Sequence, residues 1–260
     1  MNFYRITILL VIISLSPFYS MARKPVREFY QFTIYHFNNA LQEKMLDTYL
    51  EQALLPALHR AGITKVGVFK PIANDTLTDK TLYVLIPAKT LEKIISIPDK
   101  LKRDTAYQSA GAEYINAIYN DPSYSRMETL LLRAFTKAPE MQLPALKAPK
   151  EERVYELRSY ESATEKIFQN KVHMFNEGDE IGLFKRLNFN AVFYSEVIAG
   201  SKMPNLMYMT CFDNRTERDA HWKSFGSDPY WKKLSSMPEY KNNVSHIDII
   251  FLRPAAYSDY

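Results

Sequence analysis

Two short stretches gather side chains that could do chemistry. In Val154-Tyr155-Glu156-Leu157-Arg158-Ser159-Tyr160 the aromatic and β-branched content reads as a strand. Alternation then puts Glu156, Arg158 and Tyr160 on one face. With Tyr208 from a later apolar run, Arg158 could fix an acidic or carbonyl group while Tyr160 and Tyr208 bound an aromatic one. The matching stretch Phe29-Tyr30-Gln31-Phe32-Thr33-Ile34-Tyr35 puts Gln31, Thr33 and Tyr35 on one face. His36 follows at the strand end, where its imidazole could act as a base. Tyr30, Phe32, Tyr155 and Leu157 point the other way and are expected to pack under helices. The polar set is expected to face the space between two sheets, either as a ligand pocket or as a cross-strand charge network at the seam between two halves. The seam is preferred, since buried charges are as often structural as functional.

His173, Glu177 and Glu180 would share a helical face if one helix ran through them, an arrangement suited to a hard metal or to acid/base work. Gly178 interrupts that helix, so a solvated charged face is the expectation, with no metal and no cofactor. No G-x-G-x-x-G, P-loop, G-x-S-x-G or Cys-x-x-Cys pattern is present, and with 7 glycines phosphate-cradling loops are not expected. Cys211 stands alone in the sequence and reads as a small buried hydrophobe. The balance of 33 basic against 29 acidic residues, +4, comes without a concentrated basic stripe, which excludes a nucleic-acid groove.

The first residues carry a targeting pattern. A single charge at Arg5 precedes the apolar run from Ile6 to Leu15, then Pro17 and Ser20-Met21-Ala22. This reads as a signal peptide over residues 1–22, cleaved after Ala22. The run is too short for the roughly 20 apolar residues of a bilayer span. A periplasmic or secreted protein with no stable membrane span after cleavage is expected; a start at Met21 would instead leave a cytosolic one.

The elements that must position these residues occur twice. The opening stretches align at an offset of 125 residues, Arg60-Ala61-Gly62-Ile63 aligns with Arg186-Leu187-Asn188-Phe189 at 126, and residues 127–133 align with 247–253 at 120. Each half reads strand, helix, strand, strand, helix, strand, the ferredoxin-like order. Gly62 and Asn188 sit where helices should end, as left-handed caps. Pro56 should kink the first helix. Asp121-Pro122 and Asp228-Pro229 are expected to mark the same corner. Residues 23–135 form the first repeat, 136–152, with Pro139, Pro144 and Pro149, a linker, and 153–260 the second repeat. Each sheet has one face bare of helices, and an apolar bare face needs a cover. Two repeats can supply it to each other, so the fold class is α+β, with two βαββαβ units closing as a pair inside one chain. Closure requires no second chain, though a homodimer is compatible with it.

The second half resembles the NIPSNAP domain of the dimeric α/β barrel superfamily. The residues that carry the resemblance are 154–160, Met203-Pro204-Asn205-Leu206-Met207-Tyr208-Met209, and His221-Trp222-Lys223-Ser224-Phe225-Gly226-Ser227-Asp228-Pro229-Tyr230-Trp231. The first half shares the plan without the Trp-x-x-Phe helix. The whole is similar to exported two-repeat NIPSNAP-like proteins of Bacteroidetes-type bacteria, a group with no settled activity. The resemblance implies a barrel that binds an apolar or aromatic small molecule or a protein partner. Alternatively, it implies a cofactor-independent oxygenase or isomerase acting on a quinone-like, polycyclic or haem substrate, with His36 as base or haem ligand.

Overall fold

A computed structural model describes residues 26–260; the leader assigned to residues 1–22 lies outside them. The first half runs β1 (Phe29–Phe37), α1 (Ala40–Tyr49), a π-helical turn (Leu50–Leu54), α2 (Leu55–Arg60), β2 (Gly67–Pro71) and β3 (Lys80–Ala88). Four short helices follow, α3 (Leu91–Ile95), α4 (Ile97–Arg103), α5 (Thr105–Ala110) and α6 (Ala112–Ile115), before β4 (Arg126–Ala134). The second half runs β5 (Val154–Glu161), α7 (Glu165–Asn176), α8 (Glu180–Arg186), β6 (Phe193–Ala199), β7 (Asn205–Phe212), α9 (Arg215–Ser227), α10 (Pro229–Ser236) and β8 (His246–Pro254). No described helix is long and apolar enough to cross a membrane.

Local chemistry explains the breaks. Pro56 has no N–H to give to Gln52, and the chain absorbs the loss in the π-helical turn, where the Leu55 N–H reaches back to the Leu50 carbonyl. Gly62 (φ +75°) and Asn188 (φ +56°) are both left-handed, as expected. Each sets the next residue to close the helix, Ile63 N–H on Leu58 O at 2.9 Å and Phe189 N–H on Phe184 O at 3.1 Å. The expected common corner is not common. Asp228 caps α10, its side chain accepting from the N–H groups of Tyr230 and Trp231, while Asp121-Pro122 lies in the loop before β4. Pro229 suits the first turn of a helix, where no donor is needed; Pro122 has no helix after it.

The eight strands form one closed antiparallel barrel in the order β1-β3-β2-β8-β5-β7-β6-β4. Each half supplies four adjacent strands, and the halves join at β2–β8 and β4–β6. β1 and β5 therefore lie on opposite walls, with the helices outside. The cover for each bare sheet face is the other repeat, as the duplication argument requires.

Inside the barrel pack Tyr30, Phe32, Tyr83, Leu132, Tyr155, Leu157, Met209 and Leu252. Tyr30, Phe32, Tyr155 and Leu157 are thus interior residues, contrary to the expectation that they lie under helices. One end of the barrel is closed. The Tyr260 ring lies 5.5 Å from Phe69 and 6.2 Å from Tyr155, and residues 136–152, which carry no helix or strand, cross the same end. Glu28 ties that segment on both sides, its N–H to Pro139 O at 2.8 Å and its carboxylate accepting from Met141 N–H at 2.8 Å.

Candidate functional site

The residues singled out by sequence fall into three separate places. Glu156, Arg158, Tyr160 and Tyr208 all project outward from β5 and β7, into the layer between the sheet and the helices of the second half. The expectation that this face looks into the space between the sheets is overturned. The network also joins a strand to a helix within one repeat, away from both junctions of the halves, so it is not a seam between repeats.

Glu156 is completely buried and its carboxylate is the hub. Arg158 donates to Oε1 from Nε at 2.7 Å. Arg218, on α9, donates from Nη2 to Oε1 at 2.8 Å and from Nε to Oε2 at 2.7 Å. Trp222, one turn further along α9, donates its indole N–H to Oε2 at 2.7 Å. The Arg158 guanidinium also lies 3.7 Å from the centre of the Trp222 ring. Burial by itself would raise the Glu156 pKa, but the Arg218 and Arg158 guanidiniums outweigh it and hold the carboxyl below its ordinary value. Arg158 passes the chain on to the Tyr160 hydroxyl at 3.0 Å, and Tyr160 meets the Tyr208 hydroxyl at 2.8 Å. Both carboxylate oxygens are occupied by protein donors. This arrangement is a clamp that fastens α9 to β5.

Trp222, which the sequence showed only as part of the Trp-x-x-Phe pattern, does more than pack. Phe225 is the buried ring of that helix; Trp222 is half-buried, edge-on to Phe189 at 4.9 Å, and carries the indole donor. Next to it, Lys171 and Glu180 form a second buried pair at 2.9 Å. Glu180 therefore turns inward while His173 bonds the Tyr240 hydroxyl at 3.0 Å. A break between α7 and α8 at residues 177–179 separates the two, so His173, Glu177 and Glu180 share no face.

The same outward face in the first half is open. Gln31, Thr33 and Tyr35, which stand 125 residues before Glu156, Arg158 and Tyr160, line a cavity of about 350 Å³ between β1 and the short helices, near the lower bound of roughly 300 Å³ for ligand pockets. Tyr49, Tyr107 and Tyr114 complete its aromatic side, with Val84, Ile97 and Leu101 among the apolar walls. The Tyr49 and Tyr114 rings stack at 3.6 Å, 7° from parallel. Hydroxyls meet between Tyr49 and Tyr107 at 2.9 Å and between Tyr114 and Tyr35 at 3.4 Å. Burial pushes the Tyr35 phenol up to about 12 and those of Tyr49 and Tyr114 up as well, so at neutral pH they are uncharged donors and acceptors. Lys102 stands at the rim, and among the described residues no histidine or carboxylate lines this cavity. Sequence reasoning picked Tyr35 but missed Tyr49, Tyr107 and Tyr114, whose recurrence on successive helices reads as ordinary core.

His36, adjacent to Tyr35, points the opposite way, into the open end of the barrel. Its Nδ1 lies 2.9 Å from Asp79 Oδ1 and its Nε2 lies 3.3 Å from Glu128 Oε1. That second contact is outside hydrogen-bond geometry, leaving Nε2 buried without a hydrogen-bond partner among the described residues.

Residues 155–259 match the NIPSNAP family model. No curated protein matches the chain. Among solved structures, a monooxygenase-like protein from Lactobacillus acidophilus NCFM superimposes with a TM-score of 0.56 at 11% identity, over 88% of this chain and 94% of that one. A second monooxygenase-like protein, from Fusobacterium nucleatum, gives 0.56 at 7% identity, over 88% and 93%. A NIPSNAP family protein from Agrobacterium tumefaciens gives 0.38 at 15% identity, covering 46% of this chain and 98% of its own. For the two structures with a TM-score of 0.56 the likeness is one of fold, an α+β barrel of the dimeric α/β type.

Proposed function

We propose that the chain binds a small apolar or aromatic molecule in the cavity between sheet and helices of its first half. The observation that carries this reading is the contrast between matched faces. At Glu156, Arg158 and Tyr160 the second half fills the space with its own charge network, whereas at Gln31, Thr33 and Tyr35 the first half leaves a cavity walled by phenol rings. Ring faces and neutral hydroxyls suit a flat aromatic body carrying one or two polar groups. A cofactor-independent oxygenase or isomerase acting on such a molecule would need a base in reach. Besides the phenols, Lys102 at the rim is the ionisable group among the lining residues, which favours binding over catalysis.

The test is mass spectrometry of small molecules released from protein purified out of its native host, paired with titration of 1-naphthol. Met127, 44% exposed, lines the cavity, so Met127→Trp should narrow it without disturbing the buried wall. The variant should keep the wild-type melting temperature, lose the released compound and bind 1-naphthol about tenfold more weakly or worse, a loss of at least roughly 1.4 kcal/mol. Unchanged binding by the variant would remove the cavity from consideration, while oxygen uptake with the released compound would favour the oxygenase. The pattern of residues 1–22 supports an exported form, periplasmic or secreted. N-terminal sequencing of the same preparation should begin at Arg23; a chain starting at Met1 or Met21 would refute export.

A further inference from the structure

The open end of the barrel is layered in a way that packing alone does not require. An apolar layer of Ile34, Tyr83, Leu130, Leu157, Met207 and Ile250 forms the floor of a cavity of about 290 Å³. Two residues nearer the mouth on each of the same strands stand His36, Thr81, Glu128, Ser159, Asn205 and Asp248, a polar ring. Asp79 and Lys202 join the rim from the loops. The floor is continuous with the barrel core and the opposite end is plugged, so this is a blind cup with dry walls and a wet lip.

The lip has a definite electrostatic character. Lys202 Nζ sits 2.7 Å from Asp248 and cancels that charge. Ser159 and Asn205 satisfy each other at 2.8 Å. Asp79 and Glu128 remain, placed on either side of the His36 ring. Asp79 lies at Nδ1 and Glu128 at Nε2 of the ring, and among the described residues neither carboxylate is within salt-bridge distance of a lysine or arginine.

We propose that the mouth of the barrel is a second binding site, for a small organic ammonium ion whose apolar body enters the cup and whose N–H groups meet the carboxylates of Glu128 and Asp79. It is distinct from the tyrosine-lined cavity, which lies outside the barrel wall. A primary ammonium satisfies the acceptors; a quaternary one offers no donor, and an anion is repelled.

Isothermal titration of the full chain with phenethylammonium tests this, alongside 3-phenylpropionate as the anion of similar size. Saturable binding of the ammonium is expected, weakening with added salt, with no heat from the anion. Glu128→Gln and Asp79→Asn alter partly exposed rim residues (side chains 43% and 69% exposed) and should fold as wild type; together they should weaken the ammonium at least about tenfold. Met127→Trp must leave its affinity unchanged, because the other cavity is not involved. Absence of saturable ammonium binding, equal binding of the anion, an unaltered affinity in the rim double variant, or loss of affinity in Met127→Trp would each overturn the proposal.

Discussion

Replacing Glu156 by alanine is expected to lower the unfolding free energy by about 3–5 kcal/mol, the range for breaking a buried ion pair by removing one partner. The substitution leaves the Arg158 guanidinium, 11% exposed, without a carboxylate partner among the described residues, leaves Arg218 with only the exposed Asp219 at 2.8 Å, and frees the indole N–H of Trp222. The same carboxylate gives the protein an acid limit. Its folded pKa lies below the ordinary value of 4.5, so its contribution is fully present above that value and is lost as the pH falls through the folded pKa. Urea denaturation of wild type and Glu156→Gln should show a stability gap at pH 7 that narrows steadily below pH 4.5. A Glu156→Ala protein as stable as wild type would show that the clamp is incidental.

Lys171→Met should also cost about 3–5 kcal/mol, for the opposite reason: it strands an anion. Lys171 and Glu180 have side chains 6% and 3% exposed, and the ammonium sits 4.7 Å from the Phe175 ring. Methionine keeps most of the volume, so a packing defect contributes little. The double change Lys171→Met with Glu180→Leu should recover most of the loss, because no charge is then left without a partner. Denaturant titrations around this two-mutation cycle measure the coupling. Simple addition of the two single effects would mean that the pair is solvated and does not interact strongly.

Much of the fold was legible because the chain repeats itself and because strands alternate. Gly62 and Asn188 announced helix ends, and the bare sheet faces required a pairing of halves. The side to which each face turned was not legible. In a barrel with helices outside, both faces of β5 are buried, so Tyr155 and Leu157 on one side and Glu156, Arg158 and Tyr160 on the other give no hydrophobicity contrast to decide between in and out. Charge was a partial guide: it put Arg158 beside Glu156 on one strand face, but the other partners of that carboxylate, Arg218 and Trp222, come from α9. One clue lay in the spacing of Arg218 and Trp222, four apart and therefore on one helical face, a guanidinium and an indole N–H able to meet a single buried carboxylate. Tyr35 and His36 could never share a site, because neighbours on a strand face apart. The phenols of the open cavity were hidden by their abundance, as Tyr49, Tyr107 and Tyr114 come from separate helices that only the folded chain brings together.

The way the barrel shuts sets how it comes apart. Along β2–β8 the register holds three pairs, Phe69 with Pro254, Lys70 with Arg253 and Pro71 with Leu252, flanked by the bonds from Ile72 N–H to Phe251 O and from Ala255 N–H to Val68 O. The other junction, β4–β6, carries a bulge between Leu131 and Leu132. By contrast, β1 and β5 are laddered along nearly their whole length on both sides. The β2–β8 pairing also joins segments far apart in the chain, so it forms against the largest loop entropy. Native-state hydrogen exchange should therefore find a sub-global opening in which the amides of Lys70, Ile72 and Arg253 exchange well before those of β1 and β5. Uniform protection around the ring would mean that the barrel opens only by unfolding outright. A barrel that unlatches at one seam behaves as two hinged shells, and the cup at its mouth is then shared property of both, present only while the latch is closed.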